Sequence, residues 1–173
     1  MEWLPFDLHP EYPVAGIPRA EHEARYPADA HRHVRAAIEG ATFPFSPPED
    51  VVSNSQKALQ VTELARDRGL HEPVHSRLMR AYWSEGADIG DEETLLGLVA
   101  QAGLDRAEAA EALADGRFAE RVRSSTREAN LHGIHAIPAF VLDRRLLVLG
   151  AQPEELFEEA LARLAAEERE GGP

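Results

Sequence analysis

From Ser53 to His132 the sequence keeps helical spacing almost without interruption, and this stretch decides which folds the chain can adopt. Ser53 stands as an N-cap, and beyond it Ala58, Val61, Thr62 and Ala65 share one helical face until Gly69 supplies a stop. Pro73 to Ser84 predicts a second helix carrying Leu78, Tyr82 and Trp83. Asp91 and Asp105 sit where the N-caps of two more helices belong, the first bearing Leu95, Leu96, Leu98, Val99 and Ala102. Gly103 and Gly116 break this pattern, and Phe118 to His132 forms a last helix before Gly133.

The flanks carry a different period. In Glu2 to Leu8, Leu4, Phe6 and Leu8 alternate with Trp3, Pro5 and Asp7, which predicts a short strand with one apolar face and with Pro5 off the hydrogen-bond ladder. His9 to Pro48, rich in Pro, His and aromatic residues, reads as a long ordered loop with one short helix around Ala30 to Glu39. Ala139 to Leu142 and Leu146 to Leu149 are β-favouring runs separated by Asp143, Arg144 and Arg145, the pattern of a hairpin. Leu156, Phe157, Ala160, Leu161 and Leu164 then mark an amphipathic C-terminal helix, with Glu167 to Pro173 expected to fray. Strand, helical block, hairpin and helix in that order predict an α/β sheet with helices packed on it rather than an all-α bundle.

Composition narrows the chemistry. The 173 residues suit one domain or a small scaffold with a sizeable insertion. Thirty-one acidic against 18 basic residues give a formal charge of −13, with the arginines scattered among carboxylates, so neither nucleic acid nor an anionic membrane is an expected partner. No run approaches the roughly 18 apolar residues of a membrane span, and Met-Glu-Trp-Leu-Pro lacks the pattern of a leader, so the cytoplasm is the expected location. The chain has no cysteine, which removes disulfides, thiolate nucleophiles and Cys-ligated metal sites.

The eight histidines include the pairs His31/His33, His71/His75 and His132/His135. Pro73 is expected to start a helix inside the i, i+4 pair His71/His75 and spoil it for a shared zinc ion, so no metal site is expected. The pairs Glu154-Glu155 and Glu158-Glu159 fall on the outer face of the last helix and read as solvated charge.

The most informative segment is Gly133 to Phe140, GIHAIPAF, followed by the hairpin and by GAQPEEL at 150 to 156. This run resembles the C-terminal signature of DsbA-like thioredoxin-fold proteins, in particular the FrnE-type branch. That branch is related to 2-hydroxychromene-2-carboxylate isomerases and kappa-class glutathione transferases. Gly133, Pro138, Phe140 and Gly150-Ala151-Gln152-Pro153 keep the pattern, while Ala136 and Ile137 stand where Gly and Val are usual. Phe6 to Pro10, Ser53-Asn54, Ala81 to Ile89 and Gly103-Leu104-Asp105 resemble further landmarks in order and spacing, across nearly the whole chain.

The resemblance implies an α/β, thioredoxin-like (DsbA-type) fold: a partial core from residues 1–52 and 134–173, and a helical insertion at 53–133. It implies a cis bond before Pro138, and a backbone at Ile137 that pairs with an extended peptide or with glutathione. Asn54, beside a groove lined by Tyr82 and Trp83 in the resembling fold, is the third expected ligand contact. It also implies that the family's first strand, its Cys-x-x-Cys turn and the helix opened by that turn have no counterpart here. The expected reading is therefore a thiol–disulfide oxidoreductase relative without its catalyst, with no catalytic residue and no cofactor beyond glutathione. The alternatives are a peptide- or glutathione-binding module, or a glutathione-dependent isomerase- or transferase-like protein in a longer form begun at an upstream start. Loss of a central strand further implies self-association through unpaired sheet edges, closure of the gap by rearrangement, or poor stability.

Overall fold

The computed structural model describes residues 2–26 and 44–170, in which the chain divides into two compact units, Met1–Thr126 and Arg127–Pro173. The expected helix at Ala30 to Glu39 and the pair His31/His33 lie outside the described residues.

The first unit opens on an irregular segment. The expectation of a strand at Glu2 to Leu8 is overturned: these residues alternate, but in the opposite phase, with Pro5 and Asp7 buried and Leu4 71% exposed. A strand exists only where a neighbour completes its ladder. Here the Asp7 N–H donates instead to Thr126 Oγ1 at 2.9 Å, and the Trp3 carbonyl accepts from Arg66.

After a chain reversal come β1 (Ile17–Pro18), α1 (Arg19–Ala24) and β2 (Val51–Val52), so the first part of the expected loop contains regular structure. β1 and β2 pair antiparallel, Ile17 opposite Val52. Gly16 makes the approach feasible, since its φ is +73° and a Cβ there would lie 2.4 Å from the Val52 carbonyl oxygen.

The helical block is α2 (Gln56–Asp67), α3 (His71–Ser84), α4 (Glu92–Gln101), α5 (Arg106–Asp115) and α6 (Ala119–Leu131). The Asp91 and Asp105 carboxylates accept the N–H groups of Thr94 and Glu108, the caps that the sequence implied. Ser53 is not a cap: its hydroxyl donates to Asp88 Oδ1 at 2.5 Å, and Asn54 Oδ1 accepts from Gln56 N at the entrance to α2. Helices α2, α3, α4 and α5 pack on one another around Val61, Leu64, Val74, Leu95 and Val99, each almost fully buried.

Helix α3 starts at His71, two residues before the expected Pro73, because a proline in the first turn lacks only an N–H that has no intrahelical acceptor. His71 and His75 therefore share one face with their rings 5.6 Å apart, which corrects the expectation that Pro73 breaks the pair.

In the second unit β3 (Ala139–Leu142) and β4 (Leu146–Leu149) form the expected hairpin, Leu142 opposite Leu146. Positive φ at Asp143 and Arg144 and the bond Arg145 N to Leu142 O, 3.0 Å, close the turn. Helix α7 (Glu154–Glu170) buries Ala160 and Leu164, while Leu156 and Leu161 of the expected apolar stripe stay exposed. The helix extends through the residues expected to fray up to Glu170, supported by Arg163 and Arg145, both paired with Glu167.

Candidate functional site

The segment joining α6 to β3 is built from helix-ending chemistry. Gly133, at φ +79°, terminates α6, with its N–H on Asn130 O at 3.0 Å and the Ile134 N–H reaching back to Ala129 O at 3.0 Å. His135 Nδ1 lies 3.0 Å from Asn130 Oδ1 and so binds the loop back onto the same helix end. At the other end the Pro138 carbonyl accepts from Gly150 N at 2.8 Å, immediately before the Ala139–Leu149 pair opens the hairpin. Gln152 Nε2 donates to Leu149 O at 2.7 Å and steadies the strand that faces Pro138.

Between these two anchor points lies Ile137, 53% exposed, joined to Pro138 by a cis peptide bond. Among the described residues no hydrogen bond engages the Ile137 N–H or C=O. The result is a short stretch of backbone fixed at both ends and unsatisfied in the middle, the form in which an exposed main chain accepts an extended ligand.

Asn54 belongs to the first unit and does a different job. It is 7% exposed, its Nδ2 donates to Tyr12 O at 2.8 Å, and its Oδ1 is held by Gln56 N at 2.9 Å. Asp88 Oδ1 takes both the Ser53 hydroxyl and the Gly90 N–H, and a Cβ on Gly90 would stand 3.2 Å from Asn54 O. Thus Ser53-Asn54 and the segment around Asp88 clasp each other.

Tyr82 and Trp83 meet edge to face at 4.8 Å, and Trp83 stacks on Phe45. Burial pushes the Tyr82 hydroxyl up, against the opposing influence of Arg19. Burial also holds His71 and His75 below the usual imidazole range. Among the described residues, no three or more His, Asp or Glu side chains gather into a metal-sized site, and no helix is long and apolar enough to cross a membrane.

The sequence matches the DSBA-like thioredoxin domain over residues 1–162. It is 29% identical to a probable DsbA oxidoreductase of Streptomyces coelicolor, SCO1869, whose crystal structure superposes with a TM-score of 0.78 over 94% of this chain and 74% of that one. The uncharacterized protein YwbO of Bacillus subtilis is 24% identical over 163 residues, 94% of this chain and 80% of YwbO. A cytosolic disulfide reductase of Pseudomonas aeruginosa, DsbM, solved with glutathione, is 28% identical over 65% of this chain and 60% of its own, at a TM-score of 0.48. The fold is thus α/β and thioredoxin-like with a largely helical remainder, and the chain belongs to the DsbA-like thioredoxin family.

Proposed function

We propose that this chain is a member of the DsbA-like family, of its FrnE-type branch, that holds an extended peptide or glutathione-like ligand against Ile137 and Pro138 without thiol chemistry of its own. The observation that carries this reading is the unengaged backbone of Ile137 between two hydrogen-bonded anchors. In the same reading, residues 1–52 and 134–173 are the thioredoxin-like core, 53–133 is the insertion, and the cytoplasm is the site of action. Asn54 acts by position, because its amide is already committed to Tyr12 and Gln56. These residues carry out no disulfide exchange, because that chemistry begins with a thiolate and they include no cysteine to supply one.

Titration of the ¹⁵N-labelled protein with S-methylglutathione, which forms no disulfide, is expected to move the Ile137 amide resonance among the most. The purified protein is expected to reduce no insulin above a buffer blank. An Ile137 amide that stays still at saturation removes the binding site, and measurable turnover removes the claim of inertness.

The proposal extends to self-association, now through the hairpin alone, since residues 2–8 form no strand. Ala139 and Val141 on β3, with Leu149 and Leu147 opposite, make one entirely apolar face of the hairpin, and Val141 is 56% exposed. Light scattering after size exclusion is expected to show dimers that Val141→Lys with Leu147→Lys converts to monomers. A wild-type monomer throughout the micromolar range would sink this proposal.

A further inference from the structure

Four aromatic residues from three segments meet at the start of the first unit. The turn before Gly16 supplies His9 and Tyr12, α1 supplies His22, and Tyr26 follows that helix. His9 and Tyr12 stack with rings 4.3 Å apart and 4° from parallel. The Tyr26 hydroxyl lies 2.9 Å from His9 Nε2, and the Tyr12 hydroxyl lies 2.8 Å from His22 Nδ1. The two pairs thus bring two imidazole nitrogens and two phenol oxygens into one cluster, with the His9 and His22 rings 5.7 Å apart.

We propose that His9, Tyr12, His22 and Tyr26 form a mononuclear metal site of two imidazoles and two phenolates, matched to ferric iron. In a six-coordinate site with bonds of roughly 2.0–2.1 Å, ligands at right angles stand about 2.9 Å apart, close to both N···O pairs here. The tautomer of His9 is set from outside: Glu11 Oε1 lies 3.1 Å from His9 Nδ1, and a carboxylate only accepts, so Nδ1 carries the proton and Nε2 keeps its lone pair for the centre. A carboxylate behind a ligating histidine is the outer-shell arrangement that orients the ring and raises its basicity.

Charge around the centre suits a cation. Arg25 lies over the Tyr12 ring at 5.1 Å, but Glu21 holds it at 2.6 Å and Glu11 lies 4.0 Å away, two carboxylates against one guanidinium. On binding, each phenol loses its proton to solvent and its oxygen lone pair turns to the metal; no electron is transferred. Hard phenolate oxygens favour a small, highly charged ion, and imidazole is compatible with iron.

The decisive readout belongs to phenolate rather than to histidine. The chain has three tyrosines, so a phenolate-to-iron charge-transfer band has few sources: Tyr12, Tyr26 or Tyr82. Ferric nitrilotriacetate added to the full chain is expected to give a visible band that saturates at one equivalent. The band is expected to disappear in Tyr12→Phe with Tyr26→Phe and to remain in Tyr82→Phe. Glu11→Gln is expected to weaken binding about 10–100-fold, as loss of an outer-shell partner does. Tyr26→Phe alone, at a residue 37% exposed, is expected to alter the band while leaving the circular dichroism and melting curve intact. No band with wild type, or a band unchanged in the double phenylalanine variant, reduces the four rings to a clamp that fastens the turn to α1 and overturns the proposal.

Discussion

Leu95→Ala is expected to lower the unfolding free energy by about 2–5 kcal/mol, a large share of the roughly 5–15 kcal/mol that keeps a domain folded. Leu95 is fully buried in α4, which packs against α2, α3 and α5 at once, so no single neighbour can move in and fill the void. The cost is the lost transfer energy of the removed carbons plus the cavity that remains, because a close-packed interior relaxes only in part. Urea unfolding followed by circular dichroism is expected to show the midpoint falling by about 1–2.5 M at a slope of about 2 kcal/mol/M. Leu131→Ala, at a side chain 87% exposed, is the matched control and is expected to stay within about 0.5 kcal/mol of wild type. A loss below about 1 kcal/mol for Leu95→Ala would mean that the helices repack freely and that the block is less tightly fitted than its burial implies.

Much of this block was legible because its signals are local. Asp91 and Asp105 cap their helices through N–H groups three residues on, a distance that one sequence spells out. The hairpin was legible for the same reason: two β-favouring runs joined by a polar turn, which pair from Ala139–Leu149 to Leu142–Leu146. The α7 stripe was legible only in part, since the face formed by Phe157, Ala160 and Leu164 meets the hairpin through Phe140 while Leu156 and Leu161 stay exposed.

What failed was whatever depends on a neighbour that the local pattern does not name. Glu2 to Leu8 alternates as a strand does, yet alternation fixes neither which face is covered nor whether a ladder partner exists. The Pro5 and Asp7 side became the buried one. Pro73 misled in the opposite direction: read as the first residue of α3 it separates His71 from His75, and read as the third it leaves them on one face.

The candidate site shows the same division. Gly133 and Pro138 mark the loop before β3 in sequence, but the exposure of the Ile137 backbone follows from the Gly150 N to Pro138 O bond, a link across twelve residues. Asn54 reads as a ligand contact in sequence, and its burial, with its amide bonded to Tyr12 O and Gln56 N, is visible only in three dimensions. His9, Tyr12, His22 and Tyr26 share no periodic spacing, and two of the four are tyrosines, so no histidine pair in the sequence marks the cluster.

Removing both arginines around Glu63, as Arg66→Met with Arg121→Met, is expected to destabilise the protein by about 3 kcal/mol, the low end for an ion left buried without its partner. Glu63 is 3% exposed and faces Arg66 Nε at 3.1 Å and Arg121 Nη1 at 3.5 Å. Arg121 also reaches Asp67 at 2.8 Å and lies over the Phe118 ring at 5.0 Å, while Arg66 donates to the Trp3 carbonyl. The two guanidiniums therefore hold the opening segment and α6 against α2. Arg121 is 45% exposed, so its pairing with Asp67 is screened and contributes little in itself. That pairing holds the Asp67 carboxyl below its usual range, a stabilisation present at neutral pH and lost as the pH falls through the lowered value. Glu63 is different, because water does not replace the charges it loses. Glu63→Met added to the double variant is expected to restore most of the loss, since an apolar side chain of similar size needs no counter-charge. A triple variant no more stable than the double would show that the arginines act through their packing on Phe118 and the Trp3 carbonyl, and not through the charge they neutralise.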